Sequence, residues 1–336
     1  MPVVYAARGL YSSQFRVLLQ AAATRLNRIK TFPDEDDIEI HATAYDAVGG
    51  SLPRLEHLRR SPYSSSSDDN NNNNIGIPSI DAILVTGSAA SAYDKYPWIA
   101  ALQSFLQKVH ADFPHVRIFG SCFGHQIIAQ ALLSSSAGFV ENPHNALHVE
   151  PCPHGFEIGI HPVTLNREFV NHFAPCLPQL AEKDVFRIQL VHGDRTVPTS
   201  TTPAIHQLPH PWLGIGSTEI CPVQGLYLPG RVLTFQGHFE FDTFANRETC
   251  REFARRAGWS DDFRDASFAR IGLAARDPAL STPADSFGGH DDDDSKLAAE
   301  MVLLFFAGRI LCDQTSDGTV HVDRVDGLMT PPLVDV

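Results

Sequence analysis

The sequence predicts an α/β fold built on an open, mostly parallel sheet. Two observations carry this reading. Between residues 80 and 133 the chain runs strand, turn, helix, strand, turn, helix, and such alternation builds right-handed βαβ units. The 336 residues are 43% hydrophobic, enough to bury the core of one large domain or two smaller ones.

The elements follow in order. Residues 2–6 (PVVYA) suggest a first strand. Residues 14–29 place Phe15, Leu18, Leu19, Ala22 and Leu26 at helical spacing. Residues 38–45 suggest a second strand. The run SSSSDDNNNNN at 64–74 holds no apolar residue and is expected to be a disordered insertion. Residues 80–86 read as a buried strand that ends in a turn at Gly87 and Ser88. A helix is expected over 98–109, with Pro97 at its start, where the missing N–H costs nothing. A short strand at 116–119 leads into a helix at 123–133. Strand-like runs fill 156–235, and 242–256 reads as a further helix. Beyond 258 the pattern is less regular. The acidic run GGHDDDDS at 288–295 reads as a solvated loop, because like charges spread apart and fix no ligand geometry. The apolar run at 297–311 contains Glu300 and is too short to span a bilayer, so a buried or partner-facing helix is expected. We therefore divide the chain into a main domain at 1–257 and a C-terminal extension at 258–336.

Formal net charge is −13, from 26 basic and 39 acidic residues. Binding nucleic acid or an anionic membrane needs a basic footprint, so neither is expected as a partner. Six widely spaced cysteines form no CxxC pair and no dense framework, which favours a reduced, cytoplasmic setting. The first residues show no continuous apolar core and no small-residue cleavage site, so no secretory signal is read there.

The chemistry centres on FGSCFGHQ, residues 119–126. G-x-C-x-G between a strand and a helix is the cysteine version of a nucleophile elbow. The tight turn holds the thiol out, and the helix N-terminus beside it favours thiolate, the reactive form. The amide of Phe123 would face an oxyanion formed by attack. On these residues alone, Cys122 is equally well a small buried residue at a βα turn. A nucleophile needs a base, and the base needs an orienting group. FQGHFEFD, residues 235–242, offers His238 and Glu240 at the end of a strand, where ligand sites of open sheets gather. Gly87 and Ser88 end another strand and are candidates for the second oxyanion donor.

Taken together, these motifs resemble the class I (triad) glutamine amidotransferase-like family. GSCFGHQ is similar to its cysteine elbow and QGHFEF to its His-x-Glu motif. ILVTGS…YDKYPWI, within 83–99, and LVHGDRTVPTS, at 190–200, resemble its oxyanion-strand region and its glutamine pocket. The resemblance covers about residues 1–257, without the Ser/Asn run. It implies a flavodoxin-like fold with an open mixed sheet and helices on both faces. It also implies Cys122 as nucleophile, His238 as acid/base and Glu240 as orienting carboxylate. Gly87 or Ser88 and Phe123 would form the oxyanion hole. Gln126, His192 and Gly193 would border the substrate, and His125 would be structural. The implied substrate is a γ-glutamyl compound, glutamine or a γ-glutamyl peptide, cleaved without metal or cofactor; the alternatives are a γ-glutamyl peptidase-like hydrolase and a catalytically silent binding or regulatory subunit. No nucleotide-binding fingerprint is present, so a transferase would pass its ammonia to a separate synthetase partner. One departure stands out: Phe239 occupies the place where the family usually has proline, a residue that fixes φ.

Overall fold

The computed structural model describes residues 2–29, 36–61, 79–134, 146–199, 208–273, 293–310 and 332–335. The Ser/Asn run at 64–74, most of the acidic run and Cys312 lie outside the described residues. The strands are β1 (His41–Ala44), β2 (Ala82–Val85), β3 (Arg117–Ser121), β4 (Leu147–Pro151), β5 (Glu157–Ile160), β6 (Val163–Leu165), β7 (Val185–Phe186), β8 (Gln189–His192), β9 (Asp194–Pro198), β10 (Leu213–Gly214), β11 (Gly216–Ser217), β12 (Gly225–Leu228), β13 (Val232–Phe235) and β14 (Pro332–Asp335). The helices are α1 (Pro2–Arg8), α2 (Tyr11–Ile29), α3 (Pro97–Asp112), α4 (Phe123–Leu133), α5 (Arg167–Phe173), α6 (Thr243–Ala257), α7 (Asp261–Gly272) and α8 (Ser295–Ala307).

The central sheet has the order β1-β14-β2-β3-β13-β12-β10. Its pairings are parallel from β1 through β13 and antiparallel from β13 to β10. The sheet is therefore mixed, with a parallel centre. Short antiparallel pairs, β4 with β9 and β5 with β8, stand apart from it.

Alternation along the central strands builds a core on each face. In β2, Ala82 and Leu84 face one core while Ile83 and Val85 face the other. Phe119 of β3 and Leu233 and Phe235 of β13 join the first core; Ile118 and Val232 join the second. Helices α2, α5 and α8 cover the first face, and α3 and α4 the second. This is the doubly covered α/β architecture that the strand–helix alternation predicts.

Two elements differ from the pattern-based reading. Residues 2–6 belong to α1 and not to a strand. Proline suits a first helical turn, and among these residues Val4 is buried while Val3, Tyr5 and Ala6 are exposed, so the alternation a strand would need stops at Ala6. The sheet position between β1 and β2 is filled by β14, from the far end of the chain. Beyond residue 258, the chain supplies α7, α8 and β14. Helix α8 is buried along residues 297–306 and packs against α2 and β3. Its Glu300 accepts from Arg25 Nε at 2.7 Å and from Gln179 Nε2 at 3.3 Å, so the charge enters the core paired.

Candidate active site

Three adjacent parallel strands, β2, β3 and β13, end side by side, with Phe235 in register with Ser121. The residues that follow include ones the sequence singled out: Gly87 after β2, Cys122 after β3, and His238 and Glu240 after β13. Topology alone therefore assembles the site at the carboxyl edge of the sheet.

Cys122 sits between β3 and α4 with φ 52° and ψ −105°, the one non-glycine residue with positive φ among the described residues. Such a backbone costs on the order of 1–3 kcal/mol and persists only where the surroundings enforce it. They do so here. A Cβ on Gly124 would fall on the Val85 carbonyl, and one on Gly120 would press into the Gly124 backbone. The two glycines let α4 sit directly on β2 and β3, and the sharp turn at Cys122 follows from that approach. The Cys122 N–H donates to Phe235 O at 2.8 Å, fixing the turn against β13. The Phe123 N–H starts the helix and has no intrahelical acceptor.

His238 is held by its backbone, whose N–H donates to Gln189 O at 2.7 Å. Its Nδ1 lies 2.7 Å from Glu240 Oε1. Its ring stacks on Phe241 with centroids 4.3 Å apart and planes 2° from parallel. Its Nε2 is buried and makes no hydrogen bond among the described residues. Burial alone would lower the His238 pKa. The charges of Glu240 and Cys122, together with the hydrogen bond to Glu240, outweigh burial and raise it to about 10. Imidazolium is thus the favoured form beside the sulfur. The thiol itself faces Val191 O at 3.9 Å and Gln236 Nε2 at 3.6 Å.

Phe239, in the place of the usual proline, is buried against Phe15, Phe119 and Phe235, with ring centroids 5.4, 5.8 and 6.3 Å away. The backbone between His238 and Glu240 is anchored by packing instead of by a fixed φ. Asp242 then caps α6 by accepting from Ala245 N at 2.7 Å, and it pairs with Arg8 at 2.6 Å.

The remaining sequence candidates are placed as follows. Gly87 lies against His238 and Tyr11: a Cβ there would meet His238 Cε1 at 3.0 Å and the Tyr11 hydroxyl at 2.7 Å. Ser88 is exposed, and its Oγ accepts from Ala90 N at 3.1 Å, closing the loop on itself. Gln126 is buried and gives its amide hydrogens to Gln236 Oε1 at 3.1 Å and Asp194 O at 3.2 Å. His192 is also buried. Its Nδ1 lies 2.9 Å from Asp194 O and its Nε2 3.1 Å from Glu157 Oε2. Gly193 packs under the Phe156 ring. His192 and Gly193 thus meet protein groups in this state of the pocket. His125 bonds Thr234 through Nδ1 at 2.8 Å, and burial and the nearby His192 lower its pKa to about 3. It is a neutral core histidine.

Two functional neighbours escaped the sequence reading. Gln236 bridges Gln126 and the sulfur; its place in the QGHFEF motif was the available signal. Tyr11 donates its hydroxyl to Glu240 Oε1 at 2.7 Å and lies 3.0 Å from His238 Nδ1. Its spacing of four residues from Phe15, on one helix face, was the available signal. Among the described residues, no group of three or more His, Cys, Asp or Glu is placed to hold a metal ion. No helix there is long and apolar enough to cross a membrane.

Comparison with known proteins finds similar chains among curated proteins and solved structures. The chain is 36% identical over 166 residues to a Schizosaccharomyces pombe protein named as a putative glutamine amidotransferase-like protein, covering 49% of this chain and 55% of the relative. A Saccharomyces cerevisiae protein named as a putative glutamine amidotransferase is 34% identical over 165 residues, covering 48% of this chain and 53% of its own. The chain therefore spans about half the length of the curated relatives it matches. No family model matches it. Among solved structures, a glutamine amidotransferase from Thermotoga maritima aligns with 56% of this chain and 72% of its own, at 19% identity and a TM-score of 0.38. One from Methylobacillus flagellatus aligns with 69% of the chain and 93% of its own, at 15% identity and a TM-score of 0.38.

Proposed function

We propose that the protein cleaves γ-glutamyl amides through a Cys122–His238–Glu240 triad and a thioester intermediate. The observation that carries this reading is the strained Cys122 turn beside a His238–Glu240 pair closed at 2.7 Å, all at the ends of adjacent parallel strands.

The Cys122 thiolate attacks the γ-carbonyl carbon, and the carbonyl electron pair moves to oxygen. The amides of Gly87 and Phe123 are the candidate donors to that oxyanion, each such donor lowering the barrier by about 3 kcal/mol. His238 Nε2 gives its proton to the leaving nitrogen as the C–N bond breaks, leaving a thioester. The now neutral His238 takes a proton from water, which attacks the thioester and releases glutamate and the thiolate. Glu240 keeps Nδ1 protonated throughout and holds the ring plane.

Ammonia released in this way would serve a separate synthetase partner; hydrolysis of a γ-glutamyl peptide would need none. The cytoplasm is the setting we assign, on the widely spaced cysteines. A screen of glutamate release from glutamine, glutathione and γ-glutamyl amines, with purified protein, tests the reading. Release from at least one, with a glutamine-analogue electrophile labelling Cys122, supports it. No release from any, with the electrophile on another residue, overturns it.

A further inference from the structure

We propose that the N-terminal helices are a brace for the His238–Glu240 pair, with Tyr11 as its positioning residue. The inference rests on the triad reading above and names a component that the elbow and the His-x-Glu motif do not contain.

Three side chains from residues 8–15 meet five consecutive residues, 238–242. Arg8 of α1 pairs with Asp242 through Nη2 at 2.6 Å and Nε at 3.0 Å. Tyr11, at the start of α2, donates to Glu240 Oε1 at 2.7 Å and lies 3.0 Å from His238 Nδ1. Phe15, one helical turn on, packs edge-on against Phe239 at 5.4 Å. The Tyr11 ring also stacks on Phe241 at 5.7 Å, and Phe241 in turn stacks on His238. The spacing of Tyr11 and Phe15 puts both on one face of α2. A single rigid helix thus fixes the carboxylate, the imidazole and the residue between them.

The polar accounting makes the hydroxyl matter. Glu240 is buried, and its Oε2 has no hydrogen-bond partner among the described residues. Its Oε1 accepts from His238, from Tyr11, and from Ser121 Oγ at a long 3.4 Å. Among the described residues, Tyr11 is therefore the one short donor to the carboxylate besides the base that the carboxylate must orient. Without it, His238 and a distant serine are the remaining described donors to Glu240. Buried carboxylates are held by such donors, and a misplacement of about 1 Å near the chemistry can cost 100-fold in rate.

Tyr11→Phe tests this, because the ring and its stacking on Phe15 and Phe241 stay while the hydroxyl goes. We expect kcat to fall about 10- to 100-fold with KM nearly unchanged and the thermal midpoint close to wild type. In a Glu240→Gln background the same change should have little further effect on kcat, because Tyr11 acts through Glu240. A second readout needs no turnover: the downfield proton resonance of His238 Nδ1–H, assigned by its loss in His238→Gln, should shift or broaden in Tyr11→Phe. Wild-type kcat in Tyr11→Phe, or a full multiplicative loss in the double variant, overturns the brace. If the wild type cleaves no γ-glutamyl substrate, that failure belongs to the functional reading, and the resonance alone decides: unchanged, it overturns the brace; altered, it supports it.

Discussion

Glu240→Gln removes one charge from the site and little volume, and its effect can be worked from the geometry. His238 is buried, which by itself would push its pKa below the ordinary 6.5; Glu240, with Cys122, instead raises it to about 10. That rise, at about 1.4 kcal/mol per unit, is on the order of 5 kcal/mol in favour of imidazolium, shared between the two partners. Glutamine keeps the shape but supplies no charge, and its NH2 group can face Nδ1 in the wrong tautomer. The imidazole should then follow burial and fall towards or below neutrality. Turnover of a γ-glutamyl substrate should drop about 10³- to 10⁴-fold, as when the orienting acid of a triad is made an amide. The alkaline limb of kcat/KM, expected near pH 10 in the wild type, should move down by several units. Glutamate release followed across pH is the assay. An unmoved alkaline limb would refute the claim that Glu240 holds the imidazolium, whatever happened to the rate.

Further outcomes follow from the same site. Cys122→Ala should abolish glutamate release, and Cys122→Gly should also be more stable than Cys122→Ala by about 1 kcal/mol in urea, since glycine relieves the φ of 52°. Equal midpoints for the two variants would mean the turn carries no strain. Gly124→Ala forces a methyl onto the Val85 carbonyl and should cost about 3 kcal/mol in chemical denaturation; an unchanged midpoint would show that α4 can back away from β2. His238 has a folded pKa above its unfolded value, so its protonation stabilises the fold fully below about pH 6.5 and this contribution is lost as pH rises through about 10. Urea midpoints should thus decline from neutral to about pH 10 more steeply in wild type than in His238→Gln.

Much of this architecture was legible in the chain. The parallel centre of the sheet was written in the alternation between residues 80 and 133, because β2 and β3 bury both faces and read as continuous apolar runs. The elbow was legible because G-x-C-x-G records a close helix–strand approach, and the approach is what Gly120 and Gly124 permit. Two features were not legible, for a common reason. PVVYA has the composition of a strand, and only the insertion of β14 between β1 and β2 fills the place where a strand would pair. Tyr11 has no local mark of its role, because its partners His238 and Glu240 lie 227 and 229 residues away. Periodicity reports which face of α2 is buried; it does not report which polar group that face will meet.

Phe239 anchors the backbone between His238 and Glu240 by packing. A proline would stiffen the segment locally, an effect of about 0.4–1 kcal/mol through the unfolded chain. Phe239 makes three edge-on ring contacts, with Phe15, Phe119 and Phe235. Each such pair contributes about 0.5–1.5 kcal/mol beyond its buried area, so packing holds this segment at least as firmly. The consequence is a different distribution of dependence. A proline's restraint travels with the proline, whereas this one is shared with α2, β3 and β13. Phe15→Ala, on a helix far from the sulfur in sequence, should therefore lower both stability and kcat. A loss of stability with wild-type kcat in the folded fraction would show that the His238–Glu240 geometry is held by its own backbone and not by the aromatic core beneath it.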